Sequence, residues 1–319
     1  MLTYVLFVVG FVLLVKGAGL LVDGSAAVAR RLKISSIVIG LTIVAFGTST
    51  PELVVNIFAS VEGNTEIAIG NILGSNIANI LLILGISAII YPLITKKNTV
   101  WKEIPLSLLA AIMVGVMVND LRIDHGVFSG LTRIDGIVFI AFFVIFLYYT
   151  FGIAKVTGES TETVKIKEIS YLKATIFIIG GLLGLVVGGK WIVDGAVEIA
   201  EFFHVSQSLI GLTVVAVGTS LPELATSAIA AYKKQPDIAI GNVVGSNIFN
   251  IFWILGVSSI IRPLPFSNNS DLDILVTILA SVVLFLVMFV GKKHTIERWQ
   301  GVLMILFYFG YVTFLIIKQ

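Results

Sequence analysis

Two glutamates, Glu52 and Glu223, lie well inside long apolar stretches of the chain, where a carboxylate is costly to bury. An ionisable side chain near the centre of a bilayer costs about 2.5–3.5 kcal/mol on insertion scales, so such a residue is a functional candidate by default. Hard cations such as calcium take oxygen ligands. The sequence around each glutamate offers carboxylate, carbonyl and hydroxyl oxygens, and it therefore indicates a cation site.

A proline directly precedes each glutamate, in Gly-Thr-Ser-Thr-Pro-Glu52 and Gly-Thr-Ser-Leu-Pro-Glu223. Proline lacks a backbone N–H and clashes with the carbonyl four residues earlier, so we expect both helices to kink. We also expect carbonyls freed by the kink, around Ala45–Thr48 and Ala216–Thr219, to point into the site. The hydroxyls beside them belong to Thr48, Ser49, Thr219 and Ser220.

A second pair of segments, Gly-Asn-Ile-Leu-Gly-Ser-Asn-Ile-Ala-Asn79 and Gly-Asn-Val-Val-Gly-Ser-Asn-Ile-Phe-Asn250, combines small residues with neutral oxygen donors. Small residues permit close helix packing. Ser75 and Asn79 are four residues apart and share one helical face, as do Ser246 and Asn250. Two glutamates carry two negative charges, which one divalent or two monovalent cations would neutralise. That stoichiometry suits cation exchange.

These polar residues also have a structural interpretation. Neighbouring hydroxyls can satisfy a buried carboxylate, and serine, threonine and asparagine commonly hydrogen-bond between membrane helices. The symmetric context favours ligands. Asp23 and Asp194 are interpreted as helix anchors instead. The three histidines lack metal-ligand spacing and are interpreted as solvated residues.

The elements that must position these residues are membrane-spanning helices. The chain has 319 residues, 57% hydrophobic and 13% charged, and its mean hydropathy is +1.05. Its apolar runs are continuous and about 20 residues long, as helices across a bilayer require and barrel strands do not. We predict an all-α integral membrane protein. The ten predicted spans are 2–22, 34–60, 66–92, 103–119, 133–152, 171–197, 206–232, 237–261, 271–291 and 299–317.

Charge placement gives the predicted orientation. Most of the 21 basic residues fall in alternate loops, so by the positive-inside rule both termini face outward, away from the cytoplasm. Residues 2–22 lack a basic leader and are interpreted as a retained helix. The predicted location is the plasma membrane, with many spans. The basic loops are topology signals and indicate no nucleic-acid partner, and the absence of cysteine excludes a thiolate metal site.

The two halves of the chain repeat each other. Residues 39–52 reappear as 210–223, and residues 67–80 reappear as 238–251, both at an offset of 171 residues. Five spans per half is an odd number, so the second half enters the membrane from the opposite side. Inverted repeats are typical of secondary transporters. We predict a first five-helix repeat (1–154), a cytoplasmic linker (155–170) and a second five-helix repeat (171–319).

The paired Gly-Thr-Ser-x-Pro-Glu and Gly-Ser-Asn-x-x-Asn segments resemble the two alpha repeats of the cation/calcium antiporter superfamily, in its sodium/calcium exchanger branch of prokaryotic type. The resemblance implies a secondary active antiporter that exchanges calcium for sodium by alternating access, with spans 1 and 6 as the gate. It implies that Glu52 and Glu223 are central calcium ligands shared in turn with sodium. The implied remaining ligands are Thr48, Ser49, Thr219, Ser220, Ser75, Ser246, Asn79, Asn250 and the backbone oxygens of Ala45 and Ala216.

One position departs from part of that family. Several exchangers carry aspartate where this chain has Asn250, and a buried glutamate can itself carry a proton because desolvation disfavours its charged form. Calcium/proton exchange, or another cation/proton exchange, is therefore the alternative, and an ion channel is a weaker one. No nucleophile with a base lies in any span, so we predict no enzyme. We expect no cofactor and no obligatory protein partner, only the transported ions and the lipid bilayer.

Overall fold

The computed structural model describes residues 2–123, 129–156, 170–202, 216–266 and 271–318. These residues form an all-α protein with two short antiparallel strand pairs, which confirms the all-α part of the predicted fold class. Most of the predicted linker, and the first part of the span predicted from residue 206, lie outside the described residues.

Helices of very different lengths occupy most of the described chain. In order they are α1 (Leu2–Leu32), α2 (Ser36–Ile39), α3 (Ala45–Thr48), α4 (Thr50–Glu62), α5 (Thr65–Ile77), α6 (Leu84–Ile90), α7 (Ile104–Met117), α8 (Asp120–Ile123), α9 (Arg133–Val156), α10 (Tyr171–Phe202), α11 (Ala216–Thr219), α12 (Leu221–Tyr232), α13 (Pro236–Ile248), α14 (Gly256–Ile261), α15 (Asp271–Val287) and α16 (Arg298–Lys318).

Among the described residues four π-helical turns occur, and three of them join neighbouring helices into continuous rods. The four turns are Gly40–Val44, Ala78–Ile83, Thr99–Glu103 and Phe249–Leu255. The second and fourth occupy matching places in the two halves, immediately before the helices α6 and α14. π-turns are rare in helices and frequent at functional sites, and here two of them include the asparagines of the repeated motif.

Among the described residues, seven helices are long and apolar enough to cross a membrane. An eighth candidate is the pair Ser36–Thr48 and Thr50–Glu62, bent by 47°. Helix α15 has 17 residues, and the described part of the seventh predicted span begins at Ala216. The protein is therefore a multi-pass membrane protein, while the count of ten stays a prediction.

The outer helices present apolar side chains outward. Ile134 is 73% exposed, Leu172 72% and Tyr148 83%. An apolar exterior of this extent suits contact with lipid. Helix α1 also continues past the predicted end at residue 22. The charge of Asp23 is balanced there by Lys233, at 2.6 Å, and the small residues that follow are buried.

Helices α1 and α10 pack side by side and antiparallel along a line of glycines. A Cβ built on Gly10 would lie 2.9 Å from the backbone oxygen of Gly188, and one built on Gly17 would lie 2.8 Å from that of Gly181. Farther along, a Cβ on Gly24 would lie 2.9 Å from the oxygen of Ala174. Each contact is closer than a side chain allows, so the glycines set the separation of the two helices.

The segments that carry the repeated motifs cross in the centre of the protein. Gly40 meets Gly241 so closely that a Cβ on either would lie about 3 Å from the other's Cα, at 3.1 and 3.0 Å. A Cβ on Gly245 would lie 2.8 Å from the Cα of Leu41. This crossing brings the first glutamate's segment against the second half's Ser-Asn helix.

The two strand pairs each join the two halves. Strand β1 (Leu93–Ile94) pairs with β4 (Thr295–Ile296), and β2 (Gly130–Leu131) pairs with β3 (Leu264–Pro265). The pairs lie outside the helical rods, in the loops that connect them. They hold one half of the chain against the other.

Candidate functional site

Both glutamates lie in the first turn of a helix that begins at a backbone break. Ser49 has φ −81° and ψ 7°, and Ser220 has φ −86° and ψ 5°, so each ends one short helix and caps the next. Glu52 and Glu223 are each only 1% exposed. The predicted kink is confirmed for the first half by the 47° bend. A helix N-terminus also favours a nearby negative charge.

The kink leaves the Ala45 carbonyl hydrogen-bonded within its own turn. That oxygen accepts the Ser49 N–H at 3.0 Å and the Thr48 hydroxyl at 3.3 Å. The break falls after Ser49, so the turn that ends there keeps its last helical hydrogen bond. Within the range 45–48 that was expected to lose hydrogen bonds, the Ala45 carbonyl keeps its bond, and its role as a ligand stays a prediction. Ala216 begins the short helix Ala216–Thr219.

Each half of the chain contributes a serine to the other half's glutamate. The Ser49 hydroxyl donates to Glu223 Oε1 at 3.0 Å, and the Ser220 hydroxyl donates to Glu52 Oε1 at 3.5 Å. The Ser75 hydroxyl also lies 3.5 Å from Glu52 Oε1, and the hydroxyl oxygens of Ser220 and Ser75 are 3.2 Å apart. The predicted residues around the two carboxylates are thus brought together in one reciprocal cluster.

The remaining hydroxyls of the site lie close to Glu223 or donate to an asparagine of the opposite half. Thr48 and Ser246 both lie beside Glu223. Thr48 donates to Asn242 Oδ1 at 3.0 Å. In the other half, Thr219 donates to Asn71 Oδ1 at 3.4 Å. These threonine–asparagine contacts join the two kinds of repeated segment, one from each half.

Asn242 and Asn56 support the glutamate helices from outside the site. Asn242 donates to the Ser227 hydroxyl at 3.0 Å and to the Glu223 carbonyl at 3.3 Å. Asn56 donates to the Glu52 carbonyl at 2.9 Å. The backbone of each glutamate is therefore fixed by a buried amide.

Asn76 and Asn247 were not predicted as site residues, and they orient Asn79 and Asn250, which were. Asn79 donates to Asn247 Oδ1 at 2.9 Å, and Asn250 donates to Asn76 Oδ1 at 2.9 Å. Asn76 donates in turn to the Asn247 carbonyl at 3.4 Å. Asn76 and Asn247 belong to the repeated Gly-Ser-Asn motif, and that repetition was the signal that could have found them.

The cluster leaves several buried oxygens without a hydrogen bond. They are Glu52 Oε2, Glu223 Oε2, Asn79 Oδ1, Asn250 Oδ1 and Ser246 Oγ. Buried polar atoms are nearly always satisfied, so a group of unsatisfied oxygens needs a reason. Oxygen-only ligands of mixed charge are what calcium and sodium bind. The donor set therefore fits a hard cation.

The two carboxylates are close enough to repel one another. No third acid joins them, since the described residues contain no group of three or more His, Cys, Asp or Glu that could hold a metal. The negative charge of the site thus comes from two glutamates alone. A cation between them would offset both their repulsion and their burial.

The fold and this buried polar cluster define a multi-pass membrane protein with a paired-carboxylate centre. The chain matches the family model for "Sodium/calcium exchanger protein" over residues 2–152 and 173–317. The chain belongs to this family. The family is one of transporters, not of enzymes.

Curated relatives cover nearly the full length of the chain. It is 33% identical to the sodium/calcium exchanger MaX1 of Methanosarcina acetivorans, over 98% of both chains. It is 38% identical to the putative antiporter CaxA of Alkalimonas amylolytica, again over 98% of both. It is 33% identical to the inner membrane protein YrbG of Escherichia coli, over 89% of both.

Solved structures of the sodium–calcium exchanger NCX_Mj have the same fold. In crystals soaked with sodium and calcium, that protein superposes with a TM-score of 0.84 at 36% identity, over 98% of each chain. The structure without either ion superposes equally well, with a TM-score of 0.84 at 37% identity, over 98% of this chain and 99% of NCX_Mj.

Proposed function

We propose that this protein is a secondary active antiporter that exchanges calcium for sodium across the plasma membrane. The observation that carries the proposal is the reciprocal pair of buried glutamates, each bonded by a serine of the other half and each left with one unpartnered oxygen. The family and the names of MaX1 and NCX_Mj support calcium and sodium as its substrates.

The charge of the site supports exchange at a single centre. Two carboxylates neutralise one calcium or two sodium ions, so both cargoes can compete for the same oxygens. In this proposal Glu52 and Glu223 are the central ligands. Neutral oxygens complete the subsites, from Thr48, Ser49, Thr219, Ser220, Ser75, Ser246, Asn79, Asn250 and the backbone of Ala45 and Ala216.

The proposed architecture is ten spans in two inverted repeats, residues 1–154 and 171–319, joined by a cytoplasmic linker at 155–170. Its support is that the cross-half contacts recur at the sequence offset of 171. Ser49 with Glu223 corresponds to Ser220 with Glu52, and Asn79 with Asn247 corresponds to Asn250 with Asn76. The family match also falls into two blocks with the linker between them. The basic loops support outward-facing termini.

Alternating access would move α1 and α10 together past the crossed segments that hold the glutamates. The glycine line between α1 and α10 supports their movement as a unit, since their backbones touch along most of their length. The asparagine and strand contacts hold the two halves of the site together. Sodium entering down its gradient would then drive calcium out of the cytoplasm.

The alternative function, calcium/proton exchange, is favoured by one observation. Both asparagine positions are neutral, so only two acids are available to hold the ions of a cycle. A buried glutamate that carries a proton in one half-cycle would satisfy the same site. The two proposals differ in the driving ion and not in the ligands.

Calcium uptake into proteoliposomes tests the proposal. Vesicles loaded with sodium and diluted into sodium-free medium should take up radioactive calcium, and vesicles with a pH gradient alone should not. Uptake that follows the pH gradient and ignores sodium would replace sodium coupling with proton coupling. Calcium flux that needs no counter-ion gradient and no counter-ion would instead indicate a channel.

Charge-removing variants test the site. Glu52→Gln or Glu223→Gln should lower sodium-driven calcium uptake by at least roughly 100-fold, because losing one charged partner of a buried ionic contact costs about 3–5 kcal/mol. Glu62→Gln is the matched control, since Glu62 lies in the same helix, α4, but is exposed at its C-terminal end. Normal uptake by both site variants would sink the ligand assignment.

A further inference from the structure

A second buried carboxylate lies away from the paired glutamates, at the end of the protein where α1 ends and α2 begins. Glu103 is 4% exposed and closes the π-turn Thr99–Glu103 that leads into α7. Its Oε1 accepts the Tyr149 hydroxyl at 2.7 Å, while Oε2 has no hydrogen bond. Among the described residues Glu103 makes no ion pair within 4.0 Å. It is therefore a buried acid without a salt bridge to any described residue.

Glu103 lines a small cavity whose other polar groups are also unsatisfied. The cavity has a volume of about 20 Å³, enough for a water-sized guest. Ser35 and Thr150 line it as well, are 8% and 1% exposed, and have hydroxyl oxygens without a hydrogen bond. Three oxygens from three separate parts of the chain thus line one cavity, and each lacks a hydrogen-bond partner.

The geometry points to a second cation site here, formed by Glu103 Oε2 and the hydroxyls of Ser35 and Thr150, that takes one sodium ion. A hard cation prefers a carboxylate with neutral oxygens, which is the set present. A single carboxylate balances a single positive charge. The Lys96 side chain also lines the cavity and adds positive charge, which disfavours a divalent ion.

This site would bind its ion independently of exchange at Glu52 and Glu223. It is built from the start of α2, the turn before α7 and the last part of α9, which share no ligand with the paired glutamates. An ion there would tie these three parts of the chain together. Its expected effect is stabilisation of the folded protein by sodium, because a ligand that binds only the folded state stabilises it by mass action.

The test uses the full chain in detergent with the paired glutamates removed, as the Glu52→Gln/Glu223→Gln double variant. Its melting temperature is followed while sodium chloride replaces choline chloride at constant ionic strength, and bound radioactive sodium is counted by equilibrium dialysis. We expect sodium to raise the melting temperature and about one sodium ion to bind per chain. Adding Glu103→Gln should abolish both. A double variant that neither binds nor responds to sodium would overturn the site.

Milder variants keep the test decisive if Glu103→Gln does not fold. Ser35→Ala and Thr150→Val each remove one neutral ligand and should weaken sodium binding about tenfold. Ser87→Ala is the matched control, because Ser87 is also fully buried with an unbonded hydroxyl but lies outside the cavity. Unchanged sodium affinity in both ligand variants would refute the assignment.

Two further arms test the role of Lys96 and the charge of the bound ion. Lys96→Gln removes a repelling charge and should strengthen sodium binding, whereas unchanged or weaker binding would show that no cation lies beside Lys96 in this cavity and would overturn the site. Calcium at equal ionic strength should stabilise the double variant less than sodium does. A response to calcium with none to sodium would overturn the assignment of a monovalent ion.

Discussion

Replacing Gly181 with alanine should separate the two helices that we propose as the moving unit. A Cβ at this position would lie 2.7 Å from the backbone nitrogen of Leu21 and 2.8 Å from the backbone oxygen of Gly17. Both neighbours are backbone atoms of a helix, so no side chain can rotate away. Relief of the clash requires α1 and α10 to move apart by roughly 0.5 Å, enough to lose about a quarter of the dispersion attraction at the contact.

The neighbouring glycine provides an internal control. A Cβ added to Gly180 would have no heavy atom within 4 Å, although Gly180 lies in the same helix and one residue away. Overpacking of a tight interface costs about 1–3 kcal/mol, while alanine gains up to about 1 kcal/mol over glycine inside a helix. Gly181→Ala should therefore be less stable than the native protein, and Gly180→Ala should be equally stable or slightly more so.

Thermal unfolding of both variants in one detergent, followed by tryptophan fluorescence, measures this difference. Calcium uptake driven by a sodium gradient then reports whether the spacing of the helices matters for transport, and we expect slower uptake for Gly181→Ala alone. Native melting temperatures for both variants would refute the close packing of α1 against α10. Equal stability loss in both would show that position in the helix, not contact with α1, decides the cost.

Three other perturbations follow from contacts in the site and at its edge. Ser49→Ala leaves Glu223 without its 3.0 Å hydrogen bond and should lower calcium affinity about 10-fold, measured by isothermal titration, since bonds to charged groups contribute about 1.5–3 kcal/mol. Asn76→Leu deprives the opposing asparagine amide of its acceptor and should destabilise the protein by about 1–3 kcal/mol in thermal unfolding. Lys233→Gln breaks the ion pair with Asp23, whose side chain is half-exposed, and should change stability by less than about 1 kcal/mol, an effect that salt screens.

Matched variants distinguish these effects from general damage. Ser60→Ala removes a hydroxyl that is equally buried but bonds nothing, from the same helix as Glu52, and should leave calcium affinity unchanged. Lys234→Gln removes the lysine next to Lys233 and should leave the salt dependence of stability unchanged. An affinity loss for Ser60→Ala as large as that for Ser49→Ala would contradict the role of the serine contact.

Local chemistry explains why the sequence revealed the backbone break and the central acids. The proline before Glu52 breaks the helix whatever surrounds it, and an acid inside an apolar run stands out wherever the run is packed. The repeat offset then paired each feature with its counterpart. These properties depend on short segments, so no tertiary information was needed to find them.

The sequence alone did not predict features that depend on packing between segments. The exchange of hydrogen bonds among Asn76, Asn79, Asn247 and Asn250 requires the crossing of two helices at Gly40 and Gly241. Which carbonyls keep their bonds at the kink also depends on where the break falls, and it falls after Ser49, so the Ala45 oxygen keeps its bond. The partner of Asp23 likewise depends on packing, because the approach of α12 to α1 brings Lys233 to it.

The two halves have matching motifs but not matching contacts. The serine bond to Glu223 is 3.0 Å and its counterpart to Glu52 is 3.5 Å, although the residues involved are identical. The difference extends to the charges at the edge of the site. Asp23 pairs with Lys233, but its counterpart Asp194 pairs with Lys190 in its own helix, because the position that matches Lys233 holds Glu62.

If the halves exchange conformations during transport, as alternating access in an inverted repeat requires, the opposite state cannot form a mirror image of the Asp23 pair. In that state Asp194 would face Glu62, so two negative charges would meet. The state described here therefore has one stabilising contact that its opposite lacks, and the two ends of the cycle differ in free energy even with the same ions bound. Because Asp23 and Lys233 are partly exposed, this bias is small and depends on salt, so ion binding at the paired glutamates still decides which state is populated.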